Sequence, residues 1–226
     1  MKKIFNCLIF ALCGVFLLIG SANAATYTFD DVYKNWPGQN YPAALANVDE
    51  HGNPKIDQMI VTTDGNNNLQ SVVLSMKDRL VFDSLFINTG GDNGTWESWD
   101  YYVRDTNLND TGAALYGVAP NYQYTYATVL NERYGHANGI DSNYLSPDNA
   151  GLLSGVQWFN DGNSETFDPL IYTFNAGIVL GEGWSIGYTP YCANDVFLAP
   201  VPEPATMALL GIGLLGLAGI SRRKRS

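Results

Sequence analysis

Rings and carboxylates crowd together in Trp96-Glu97-Ser98-Trp99-Asp100-Tyr101-Tyr102. This mixture suits saccharide recognition: a ring face packs against the C–H groups of a pyranose, and acids accept from its hydroxyls. Trp96 adjoins the loop Gly90-Gly91-Asp92-Asn93-Gly94 and is expected to be exposed, with Trp99 completing a candidate glycan site. Tyr122, Tyr124 and Tyr126 offer a second aromatic row. The competing reading is interior packing, in which the same rings fill the space between sheets. Asp105, Asn107 and Asn109 place side-chain oxygens at alternate positions, like the opening of a calcium loop. The pattern departs from that loop at Asp110, where its turn glycine belongs, and at Tyr116, where its bidentate glutamate belongs. An Asx-rich turn is the default reading of this segment, so no cofactor is expected, with weak calcium binding as the alternative. His51 and His136 are the only histidines and cannot make a three-histidine zinc site. No serine or cysteine sits in a nucleophile elbow. Carboxylates are so numerous that a glycosidase pair gains no specific support. The domain is therefore expected not to be an enzyme.

The elements that must position these residues read as strands. Runs rich in Val, Ile, Thr, Tyr and Phe alternate with Asn, Asp, Gly and Pro clusters. Strands are predicted at 26–29, 56–62, 69–75, 81–87, 99–104, 122–130, 171–180, 184–188 and 195–198. Trp99, Tyr101 and Val103 alternate with Asp100, Tyr102 and Arg104, the period of a half-buried strand. Asp64-Gly65-Asn66-Asn67-Asn68 is a hairpin connection, because Asn and Gly tolerate positive φ. Residues 42–48 allow a helical turn or two, and 131–164 read as long loops with small strands. The predicted fold is all-β: one antiparallel β-sandwich, jelly-roll-like, over residues 25–200.

Residues 1–24 have the layout of a secretory signal peptide. Lys2 and Lys3 precede an apolar run, and Ala22 and Ala24 form an Ala-x-Ala site with cleavage after Ala24. Cys7 and Cys13 leave with this segment, so Cys192 has no intramolecular disulfide partner. It is read as a buried thiol on a strand. Removing this segment, and residues from Glu203 onward, leaves six basic side chains against twenty-one acidic ones, a formal charge of −15. Such a chain is not expected to bind nucleic acid or anionic membrane surfaces. Any polysaccharide partner is expected to be neutral, or bridged by a divalent cation.

Residues 201–226 form a segment in three parts. Pro202 and Pro204 hold Glu203 on a stiff, non-helical stalk. Residues 205–220 carry no charge and fall just short of the roughly 20 residues of a comfortable transmembrane helix. Arg222, Arg223, Lys224 and Arg225 form a basic stop that resists translocation. Pro202-Glu203-Pro204-Ala205-Thr206, then Leu209-Leu210-Gly211, Leu214, Gly216-Leu217 and the basic cluster, resemble the PEP-CTERM sorting signal of Gram-negative bacteria. The resemblance covers about a tenth of the chain. It implies an exosortase as partner, cleavage near the stalk, and a host that makes exopolysaccharide. The expected route is export through the inner membrane, transient anchoring there by the C-terminal helix, then the cell surface or extracellular matrix. The expected role is structural or adhesive, in a biofilm's exopolysaccharide layer. A carbohydrate-binding module is the alternative, and a secreted glycoside hydrolase the third reading.

Overall fold

The computed structural model describes residues 24–31, 54–79, 83–91, 96, 98–105, 112–127, 135–193 and 195–200. Strands β1 (Ala25–Asp30), β2 (Lys55–Thr63) and β3 (Leu69–Lys77) form a meander, continued by β11 (Asp168–Phe174) and β10 (Leu153–Trp158) in the order β1-β2-β3-β11-β10. The second sheet joins β4 (Asp83–Asn88), β5 (Tyr101–Asp105), β6 (Ala114–Val118), β9 (Leu145–Ser146), β12 (Ser185–Pro190) and β13 (Phe197–Pro200) in the order β13-β12-β4-β5-β6-β9. A third, two-stranded piece pairs β7 (Tyr124–Tyr126) with β8 (Ala137–Ile140). Every named pair is antiparallel.

Alternation explains why these segments pair as they do. In β3, Val72, Leu74 and Met76 are buried while the residues between them are half-buried. β2 does the same with Met59, Val61 and Thr63, and a register shift between Ile56 and Gln58 brings Ile56 to the same face. The β2–β3 turn is built as its residues require: Asp64 Oδ1 accepts from the backbone N–H of Asn66 and Asn68, and Asn67 takes φ 60°. These hydrogen bonds, led by the Asn68 N–H, hold the Asp64 carboxyl below its usual range.

The two large sheets face each other across one core. Met59, Val61, Val72, Leu74, Leu170 and Tyr172 come from the first, and Leu85, Ile87, Val103, Ile186, Tyr188 and Phe197 from the second. Each such side chain contributes about 1.5–3 kcal/mol by leaving water. β4 and β12 are buried at every residue, because the six-stranded sheet is covered on both faces. Its second face carries Phe86, Trp96, Trp99, Tyr102, Ile140, Val196 and Leu198. The β7–β8 hairpin docks on that side. Ser84 Oγ donates to the Asn138 carbonyl (2.7 Å), and Asn138 Nδ2 donates to the Tyr191 carbonyl (2.9 Å).

The antiparallel all-β expectation holds, but the jelly-roll detail does not fit the described strand order. β3 pairs with β11 and β4 with β12, so partner numbers rise together. A jelly roll wraps one long hairpin, and there one number falls as the other rises. The predicted strand 171–180 ends early: β11 stops at Phe174, and Gly177 turns the chain at φ 140°. β6 lies outside the predicted strands, and β8, β9 and β10 are the small strands within 131–164. Residues 1–23, the helical turn at 42–48 and the segment 201–226 lie outside the described residues, and Ala24 is exposed at their border. Among the described residues no helix is long and apolar enough to cross a membrane.

Candidate functional site

Trp96 and Trp99 do not present ring faces to solvent. They are 5% and 2% exposed, which corrects the expectation of a glycan-stacking platform there. Ser98 between them takes φ 62°, which breaks strand alternation and lets two residues three apart face the same sheet. Their rings meet edge to face at 5.6 Å, and both pack on Phe86 at 5.8 and 5.4 Å. The floor is Gly187 of β12, where a Cβ would lie 2.9 Å from Trp96 and 3.0 Å from Trp99. Trp99 Nε1 donates to the Tyr124 hydroxyl at 2.8 Å, which in turn donates to the Trp96 carbonyl. The interior-packing alternative is therefore the one the structure adopts.

Asp105 is likewise not the mouth of a calcium loop. Its carboxylate is fully buried and accepts from Arg79 Nη2, while Arg79 Nε donates to Asp83 Oδ2 at 2.5 Å. Tyr188 adds a hydrogen bond to Asp83 Oδ1 at 2.6 Å. Burial pushes the Asp83 carboxyl up to about 6, opposed by the Arg79 charge and the Tyr188 hydroxyl. Asp105 is turned into the core and bonded to Arg79, which leaves it unable to serve an exposed cation. Asn107 and Asn109 lie outside the described residues. Among the described residues no three His, Cys, Asp or Glu side chains group to hold a metal ion. His136 is buried beside β8, His51 lies outside the described residues, and Cys192 is buried in the turn after β12 rather than on a strand.

An open groove of about 560 Å³ lies at the β5–β6–β9 end of the six-stranded sheet. Strand pairing sets its floor: Tyr101 stands opposite Gly117, and Gly117 opposite Ser146. Asn149, from the 3-10 turn Pro147–Leu152, lies over Gly117, where a Cβ would sit 2.7 Å from Nδ2. Asn143 and Tyr144 come from the 3-10 turn Ser142–Tyr144, capped by Asp141. Asp100 closes the other wall, its Oδ2 accepting from the Thr89 N–H (2.7 Å) and Oγ1 (2.6 Å). Sequence reasoning singled out Asp100 and Tyr101 but missed Asn143, Tyr144, Ser146 and Asn149. The available signal was the density of amide, hydroxyl and ring groups in Asn143-Tyr144-Leu145-Ser146-Pro147-Asp148-Asn149.

The opposite end of the same sheet leads into the tail. β13, paired with β12 at the sheet edge, runs to Pro200, and Val201-Pro202-Glu203-Pro204 follows at once. A family model described as the PEP-CTERM protein-sorting motif matches residues 200–225, a span that includes Pro202, Glu203, Pro204 and the cluster Arg222 to Arg225. No curated protein and no solved structure matches the chain. The chain thus carries a PEP-CTERM protein-sorting motif directly behind its last strand, and that motif implies export and exosortase targeting to the cell surface.

Proposed function

We propose that this protein is a structural or adhesive component of an extracellular polysaccharide layer, delivered by exosortase processing. In this reading residues 1–24 are a cleaved signal peptide, 25–200 a secreted β-sandwich, and 201–226 a temporary inner-membrane anchor cut near the Pro202–Pro204 stalk. The observation that carries it is the join: the sorting motif starts at residue 200, where β13 ends. Cutting near the stalk would release the fold whole. The domain is read as non-catalytic. Intact-mass measurement tests the route. Protein recovered from the surface of exosortase-positive cells should lack residues 1–24 and the apolar tail, and exosortase-negative cells should hold the tailed form in the inner membrane. A surface-exposed chain with Arg222 to Arg225 still attached would overturn the proposal.

A further inference from the structure

We propose that the groove walled by Asp100, Tyr101, Asn143, Tyr144, Ser146 and Asn149 binds a neutral saccharide segment. The proposal rests on the delivery route above only in naming the surrounding polymer as the natural source of that ligand. Three observations lead to it. Its volume, about 560 Å³, falls within the roughly 300–1,000 Å³ of small-ligand sites. Its chemistry is that of a polyhydroxylated, uncharged partner. The Asn143 and Asn149 side-chain amides and Asp100 Oδ1 make no hydrogen bond within the described structure, so they are open to sugar hydroxyls. Two tyrosines line the same space and offer ring area for C–H faces.

Charge narrows the class further. The lining contains one carboxylate and no cationic side chain, in a chain of formal charge −10. An acidic sugar or a phosphate would meet repulsion without a counter-ion. A peptide anchor would need a deep apolar pocket, whereas this groove is open and mixes the apolar Val118, Ala119 and Leu145 with amides, hydroxyls and a carboxylate.

The walls are also held in place before any ligand arrives. Asp100 receives two hydrogen bonds from Thr89, its own N–H donates to the Ile87 carbonyl, and its carbonyl accepts from Val118. Across the groove the Tyr144 carbonyl accepts from Ala119 at 3.0 Å, and the Tyr144 N–H donates to the Asp141 carbonyl at 3.0 Å. Little ordering remains to be done on binding, which favours a measurable affinity from few contacts.

The test uses secreted protein purified from the cell surface, titrated by calorimetry with cellobiose, maltose, lactose, chitobiose and glucuronic acid, and with the host's purified exopolysaccharide. Saturable binding of at least one neutral sugar is expected, with glucuronic acid bound more weakly or not at all. Asn143→Ala, Asn149→Ala and Asp100→Asn should each weaken binding five-fold or more with little change in thermal midpoint. Tyr126→Ala, at an exposed position of β7 outside the groove, should leave binding unchanged. Absence of binding to every neutral sugar and to the polymer, a preference for glucuronic acid, or equal binding by the three groove variants would overturn the proposal. Intact mass of the same preparation reports processing separately. A tailed protein that binds sugar would leave the groove standing and remove the delivery route.

Discussion

Asp83 is where a single side chain has the most to say about stability. It sits between the sheets with Arg79 on one oxygen and Tyr188 on the other, and the Asp105 carboxylate shares the same guanidinium. Loss of hydration on burial is the main reason the folded state favours the protonated form, and the Asp105 carboxylate adds a smaller push in the same direction. The folded pKa, about 6, lies above the ordinary value of 3.8. Between those values the folded state holds more protons than the unfolded chain. The stabilisation from this group is therefore complete below 3.8 and is lost as pH rises through about 6, a change of up to ~3 kcal/mol. Asp83→Asn imitates the protonated carboxyl at every pH. Urea midpoints taken from pH 4 to pH 7 should show wild type losing ground to the variant as pH rises, and carboxyl NMR should place the titration near 6. Parallel profiles for the two proteins would show that the group is charged throughout.

At the scale of elements, the cover of the six-stranded sheet depends on one missing side chain. Gly187 of β12 lets the indoles of Trp96 and Trp99 rest directly on the strand, with the β7–β8 hairpin pinned above by Tyr124. Gly187→Ala should force both rings outward and cost about 1–3 kcal/mol in urea unfolding, with a changed tryptophan emission. An unchanged spectrum and midpoint would mean that the rings do not seat there. Tyr124→Phe removes the partner of the Trp99 N–H and the donor to the Trp96 carbonyl, and should cost about 1–3 kcal/mol without altering the sheet. These contacts also mark where sequence reasoning stopped. β2, β3 and the turn between them were legible because alternation and Asx chemistry are local signals. β8 was not, since Ala137-Asn138-Gly139-Ile140 has the composition of a loop. Gly139 stands there because a Cβ would lie 2.7 Å from the Tyr102 hydroxyl. Trp96 was misread because the positive φ of Ser98 cancels the period-two rule. The groove escaped notice because Asp100 and Asn149 meet only through the β5–β6–β9 pairing, and long-range register is invisible in one chain read alone.

On the scale of the whole molecule, fold and address meet at one residue. Pro200 closes β13, and the sorting motif begins there, so no linker separates sheet edge from stalk. Phe197, Leu198 and Ala199 are buried at 1%, 5% and 0% exposure, which ties the last residues before the stalk into both faces of the sheet. If the tail only delivers the protein, the described fold should be indifferent to its loss. A gene encoding residues 1–202 should yield exported protein whose urea midpoint matches that of the processed surface form within ~0.5 kcal/mol. The same truncated chain should collect in the periplasm, because the segment that presents it to the exosortase is gone. Shortening by five further residues removes Leu198, Ala199 and Pro200 along with Val201 and Pro202, and should destabilise the domain by several kcal/mol through lost burial and lost pairing with β12. The two truncations separate address from architecture. If the 1–202 protein reached the surface as efficiently as the full chain, the tail would have lost its role. If it failed to fold, the boundary between fold and address would lie further along the chain than β13.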